Sequence, residues 1–148
     1  MLNSTSIETA AEARITRGVM IWLNSFPELP EAVDAIRYER LWDDSECMAV
    51  SAVQGERVTH RYIGGGYEAE YTFKLIYRLK PGAGSGARLD ADELLERLGS
   101  WAGENRPELG TGIRVRRVEP ITRAAVAAAY DNGDEDHQIT IKIMYEAI

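Results

Sequence analysis

Residues Tyr67–Lys80 run YEAEYTFKLIYRLK, and how this stretch folds decides how the rest of the chain can fold. Ala69, Tyr71, Phe73, Leu75, Tyr77 and Leu79 share one parity. Glu68, Glu70, Thr72, Lys74 and Arg78 share the other, where Ile76 is the one apolar residue. A period of two sustained this long, and rich in aromatics, marks a half-buried β-strand. At about 3.3 Å per residue it spans roughly 40 Å, long for a globular strand. Gly64-Gly65-Gly66 precedes it and Pro81-Gly82 follows, so both ends are punctuated. The stretch is predicted to be the central strand of a sheet.

On its N-terminal side, Cys47–Val53 and Arg57–Ile63 carry strand patterns parted by the turn residues Gln54-Gly55-Glu56. With the central strand they predict a three-stranded antiparallel meander. On its C-terminal side, His137–Tyr145 puts Ile139, Ile141, Ile143 and Tyr145 on one face. The alanine run Ala124–Ala129, broken by Val126, has helical propensity. The loop Asp131–Asp136 leads straight from it into the last strand, however, so a hairpin with Ile121–Tyr130 as its first arm is expected. Ile113–Val118 is a further strand that Pro120 interrupts, with Ile113, Val115 and Arg117 opposite Arg114, Arg116 and Val118.

Two helices complete the pattern. Thr5–Phe26 begins at a Ser4 or Thr5 cap with Glu8 close behind, and Ile7, Ala11, Ile15, Val19, Trp22, Leu23 and Phe26 form one stripe. Its end, Val19–Leu23, is apolar nearly all round and must be deeply buried or touch a second surface. Asp90 with Glu93 forms a capping box for the second helix. Leu94, Leu95, Leu98, Trp101 and Ala102 are its buried face, and Gly103 with Pro107 closes it. Glu31–Leu41 is a short helix or an irregular crossing, and Pro81–Ala87 a flexible loop. The sum is an α+β fold, one mainly antiparallel sheet with two helices packed on one face, with residues 1–148 as a single domain.

Length and composition suit that fold: 148 residues, 45% hydrophobic and 28% charged. The one cysteine, Cys47, excludes an internal disulfide framework. The N-terminus lacks the basic start and apolar run of a signal peptide, and no stretch is long and apolar enough to span a membrane. A soluble intracellular protein is expected. Net charge is −7, from 17 basic and 24 acidic residues, which argues against a general nucleic-acid binder.

Catalytic chemistry is hard to place. His60 and His137 each sit within a strand pattern without spaced partners, and Cys47 has no neighbouring Lys or His. Gly64–Gly66 leads into a strand, the wrong context for a phosphate cradle. Asp131, Asp134, Glu135 and Asp136 lack the helix and the final glutamate of a calcium loop. Asp43-Asp44 with Glu46 is an acidic turn without a partner base. Trp22, Trp42 and Trp101 are core anchors first and interface anchors second. No metal, cofactor or catalytic residue is expected, and the chain is not expected to be an enzyme.

Four stretches carry a resemblance: WLNSFPEL (Trp22–Leu29), RYIGGGYEAEYTFKLIYRL (Arg61–Leu79), the helix around Leu98–Trp101, and QITIKIMY (Gln138–Tyr145). Together they span nearly the whole chain, which resembles the small tail-terminator proteins of tailed bacteriophages and prophages, often labelled minor capsid or minor tail proteins. The resemblance implies two helices on an antiparallel or mixed sheet. It implies a homo-oligomeric ring, usually a hexamer, that sits on the last ring of tail-tube protein, stops tube growth and offers its other face to the head-completion connector. Genomic DNA would pass through the lumen with transient, non-specific contact. The protein would belong to the virion tail, and to the host cytoplasm before assembly, with no cofactor and no membrane. The rivals are another small head–tail adaptor or completion protein, and a small-molecule-binding α+β domain, which would need a deep polar pocket.

A head-to-tail ring needs two different complementary surfaces on each subunit. The charge map offers a basic segment, Arg114, Arg116 and Arg117, and an acidic loop, Asp131, Asp134, Glu135 and Asp136. These are the candidate subunit interface. The alternatives are that both patches are solvated or pair within one chain.

Overall fold

The computed structural model describes residues 4–41, 46–53 and 58–148, with side chains from residue 13 onward. Helix α1 is Ser4–Leu23 and helix α2 is Ser85–Glu104. The strands are β1 Ile36–Tyr38, β2 Cys47–Ala52, β3 Val58–Arg61, β4 Tyr67–Leu79, β5 Ile113–Pro120, β6 Ala125–Ala129 and β7 Glu135–Ala147. They form one seven-stranded sheet in the order β1-β2-β4-β7-β5, antiparallel except for the β1–β2 pair. The expected α+β class is the observed one.

The centre is the pairing of β4 with β7, register-locked from Tyr67↔Ala147 to Leu79↔Glu135. The alternation expected for β4 holds at every residue: the seven odd positions from Tyr67 to Leu79 are buried. Phe73 and Ile141 pair at the midpoint, both fully buried. Both helices cover this face. Ile15, Val19 and Leu23 of α1 and Leu95 and Leu98 of α2 join the same core. The Thr16 hydroxyl donates to Tyr71 Oη at 3.1 Å. Trp22 stacks on Trp101 with centroids 5.5 Å apart and donates its indole N–H to the Asn105 carbonyl at 2.6 Å.

The meander is corrected. β2 and β3 do not pair with each other; both lie along the same edge of β4, β2 on residues 73–78 and β3 on residues 67–69. Thirteen residues of β4 are long enough to serve two short strands end to end. β5 and β6 do the same on the outer side of β7. Each half of the sheet is thus a hairpin whose first arm is broken and whose second arm is continuous.

Other boundaries also move. α2 starts at Ser85, five residues before the expected Asp90 cap; Gly84 is the N-cap, without a side-chain cap. Within this added first turn the Arg88 guanidinium binds the Glu135 carboxylate with a shortest contact of 2.6 Å, tying the turn to β7. α2 also runs through Gly103 to Glu104. Glu31–Leu41 contains strand β1 rather than a helix. Asn24 clamps it, its amide donating to the Ile36 carbonyl and accepting from the Ile36 N–H. In β5 a bulge between Val115 and Arg117 resets the alternation, so Val118 turns to the core and Arg117 to solvent. Val19, Trp22 and Leu23 are buried, whereas Ile21 is 76% exposed. The expected caps Ser4 and Thr5 both fall within α1, while the side chains of Ile7 and Ala11, together with Trp42-Asp43-Asp44 and the turn at Gln54-Gly55-Glu56, lie outside what the structure describes.

Candidate interaction surface

Because odd residues of β4 and β7 face the helices, even residues form the opposite, open face of the sheet. Glu68, Glu70, Thr72, Lys74, Ile76 and Arg78 stand beside Glu146, Met144, Lys142, Thr140, Gln138 and Asp136, in that register. Apart from Ile76 and Met144 this is a polar lattice, closed at its two ends by charge clusters of different construction.

At one end Arg78 and Asp136 face each other in a two-bonded ion pair, Nε–Oδ1 2.7 Å and Nη2–Oδ2 3.0 Å. The Tyr130 hydroxyl donates to Asp136 at 2.7 Å, and its ring lies 4.9 Å under the guanidinium. The Asp136 hydrogen bond raises the pKa of Arg78, against the opposing effect of burial; it also raises that of Tyr130. Asp134, only 3% exposed, binds Lys80 Nζ at 3.0 Å. The Lys80 hydrogen bond holds its carboxyl below the usual range, as the Arg88 bond does for Glu135. Three of the four acids of the candidate loop, Asp134, Glu135 and Asp136, are therefore held in ion pairs within the chain. Glu135 and Asp136 belong to β7 rather than to a loop, and of the four acids Asp131 alone is exposed.

At the other end Glu68 and Glu146 face each other. The Tyr62 hydroxyl lies 2.9 Å from Glu68 and 3.2 Å from Glu146. Burial, then those two hydrogen bonds, push the phenol up to about 12. Arg116 reaches Glu68 at 3.0 Å and Glu146 at 3.6 Å, Arg114 reaches Glu146 at 3.7 Å, and Arg117 pairs with Glu119 at 3.0 Å. Arg116, Arg117, Glu68, Glu70 and Met144 line an open depression of about 440 Å³. The basic and acidic candidates thus lie at opposite ends of β7, each largely paired within its own chain.

The two ends correspond residue by residue. Laying Tyr67–Leu79 on Glu135–Ala147 matches Thr72-Phe73-Lys74-Leu75-Ile76-Tyr77 with Thr140-Ile141-Lys142-Ile143-Met144-Tyr145. The same shift matches Tyr62 with Tyr130 and Gly65 with Gly133, whose φ angles are 92° and 94°. In both turns the glycine N–H donates to the tyrosine carbonyl. It also matches the bulges between Val58 and His60 and between Val126 and Ala128. The hairpins are a structural repeat, in which Glu146 stands where the first copy has Arg78.

Of the other residues considered, Cys47 is buried in β2, and His60 is exposed against the Tyr62 ring. His137 is 2% exposed, with Nδ1 2.8 Å from Asp92 and Nε2 3.3 Å from Glu135. Sequence spacing could not foresee the Asp92 contact, because Asp92 comes from α2. Among the described residues no group of three or more metal-ligating side chains stands where it could hold a metal, and no helix is long and apolar enough to cross a membrane. A second depression, about 590 Å³, follows Arg106–Val115 along the surface. No protein-family model matches the chain, and no curated protein matches it significantly.

Proposed function

We propose that this chain is a structural virion subunit that caps the tail tube of a phage or prophage particle as a ring. Capping ends tube growth and presents a surface to the head-completion connector. What carries the reading is the resemblance of Trp22–Leu29, Arg61–Leu79, Leu98–Trp101 and Gln138–Tyr145 to tail terminators. It is supported by the fold, whose two helices on one face of a mainly antiparallel sheet are the architecture that resemblance implies. The role has no turnover and no cofactor. The ring is sixfold, DNA passes its lumen with transient electrostatic contact, and the subunit waits in the host cytoplasm before joining the tail.

Within this reading the ring seam uses the outward remainder of the two charged patches. Arg114 and Arg117 keep 75% and 66% of their side chains exposed at one end of the sheet, and Asp131 is exposed at the other. Asp134, Glu135 and Asp136 shape their end through internal pairs. Arg116→Glu therefore reads the integrity of the hairpin ends, whereas Arg117→Glu reads the seam. The test is addition of purified protein to growing tail tubes. Binding at tube ends with arrest of elongation is expected; binding to the connector alone favours the head–tail adaptor.

A further inference from the structure

The hairpin repeat sets two turns side by side. The shift that lays Tyr62 on Tyr130 and Gly65 on Gly133 also lays Ile63 on Asp131 and Gly64 on Asn132. Asp131-Asn132 is ordinary turn chemistry, and both turns close with the same glycine-to-tyrosine hydrogen bond. The backbone therefore accepts polar residues at positions 63 and 64. Gly65 and Gly66 are required, because their φ angles are 92° and 84°. Gly64 is not: its φ lies outside the left-handed region, and an added Cβ would meet nothing within 4 Å.

The fold thus does not account for the apolar tip that this turn carries. Ile63 is fully exposed. Tyr62 and Ile148 gather beside it around Gly66, where a Cβ would lie 3.6 Å from the Tyr62 ring and 3.6 Å from Ile148 Cα. With Gly64 bare, the tip is a small apolar knob that another surface can approach closely.

The knob stands at the basic end of the sheet, since the Tyr62 hydroxyl contacts the two glutamates that Arg114 and Arg116 reach. The opposite end carries its complement. Leu89, 61% exposed, lies early in α2 beside the Arg88 that ties the helix to Glu135. Asp90, Glu93 and Asp131 are exposed at the same end. An apolar residue among cations at one end and an apolar residue among anions at the other are the two unlike halves of a head-to-tail contact.

We infer that the Tyr62–Gly66 tip of one copy seats Ile63 against Leu89 of the next, with Arg114 and Arg117 facing Asp90, Glu93 and Asp131 around the rim. The occupant is a second copy because the complementary surface lies on the same chain. The inference rests on the ring reading and supplies its seam with an apolar anchor. The charges around that anchor give register and encounter rate more than affinity.

Sedimentation velocity of the full chain over a concentration series tests this. Self-association is expected, and added salt weakens it. Ile63→Ser and Leu89→Ser each weaken it by about tenfold or more, and combining them costs little beyond either alone, since both remove one contact. Ile63→Ser leaves the melting temperature unchanged, because the side chain it replaces is fully exposed. A monomer at every concentration, self-association indifferent to Ile63→Ser, or losses that add in the double variant would each overturn the inference. Tube arrest is read in a separate assay. Association that depends on Ile63 without arrest keeps the contact and removes capping, whereas arrest with association indifferent to Ile63 does the reverse.

Discussion

Glu68 and Glu146 stand opposite each other across the central ladder, and one hydroxyl, that of Tyr62, lies within 3.2 Å of both carboxylates. Like charges directly opposite on adjacent strands repel. Arg116 from β5 reaches both carboxylates, and Arg114 reaches Glu146. At the far end of the ladder the matched positions hold Arg78 and Asp136, which attract without help from another strand. One end of the sheet is closed by its own ladder, and the other depends on β5.

Arg116→Ala should therefore loosen β5 more than any other strand. Hydrogen exchange should show faster amides across Ile113–Pro120 with little change in β2. Added salt should reduce the loss in melting temperature, because the uncovered repulsion is screened over roughly 10 Å at 0.1 M. Uniformly faster exchange, indifferent to salt, would remove Arg116 from this role.

Asp136→Ala leaves the Arg78 guanidinium, with a side chain only 13% exposed, without its carboxylate. Breaking such a pair from one side costs about 3 kcal/mol. Urea denaturation should show that loss, and a change under ~1 kcal/mol would mean the pair is solvated as a surface pair is.

Phe73→Ala should cost about 3–5 kcal/mol, because Phe73 is fully buried at the midpoint of the β4–β7 ladder. Trp101→Ala should cost less: Trp101 is only half-buried and packs by stacking on Trp22 and edge-on to Phe26. Denaturation of both variants ranks them, and the reverse order would contradict the placement of the core.

Asp134 and Glu135 titrate below their ordinary values in the folded chain, through Lys80 and Arg88. Their stabilisation is present above the unfolded carboxylate range, about pH 4, and is lost as pH falls through the lowered native values. Lys80→Met should remove the Asp134 part at neutral pH. The variant's stability should then fall less steeply than the parent's below about pH 4. Parallel acid-unfolding curves would show that Lys80 does not set this carboxyl.

Much of the fold is written locally. β4 and β7 declare themselves through a period of two, and the β6–β7 hairpin is legible despite its alanines because the turn residues outweigh propensity. The meander misled because Gln54-Gly55-Glu56 resembles a hairpin turn, although the length of β4 already allowed two strands along one edge. The first turn of α2 is tied to β7 by Arg88 reaching Glu135, a contact between residues distant in sequence. The acidic cluster looked exposed for the same reason, since Lys80, Arg78 and Arg88 reach it only in the folded chain. The hairpin repeat was visible in sequence through Thr72–Tyr77 and Thr140–Tyr145, once the two strands are aligned by their turns.

The central claim is that the subunit ends tail growth, and tail length measures this most directly. Electron microscopy of particles from a phage encoding this chain, with and without its gene, supplies the comparison. Deletion should give overlong or irregular tails that fail to join heads, and expression of the chain in trans should restore both length and joining. Tails of normal length that join heads normally in its absence would contradict the account.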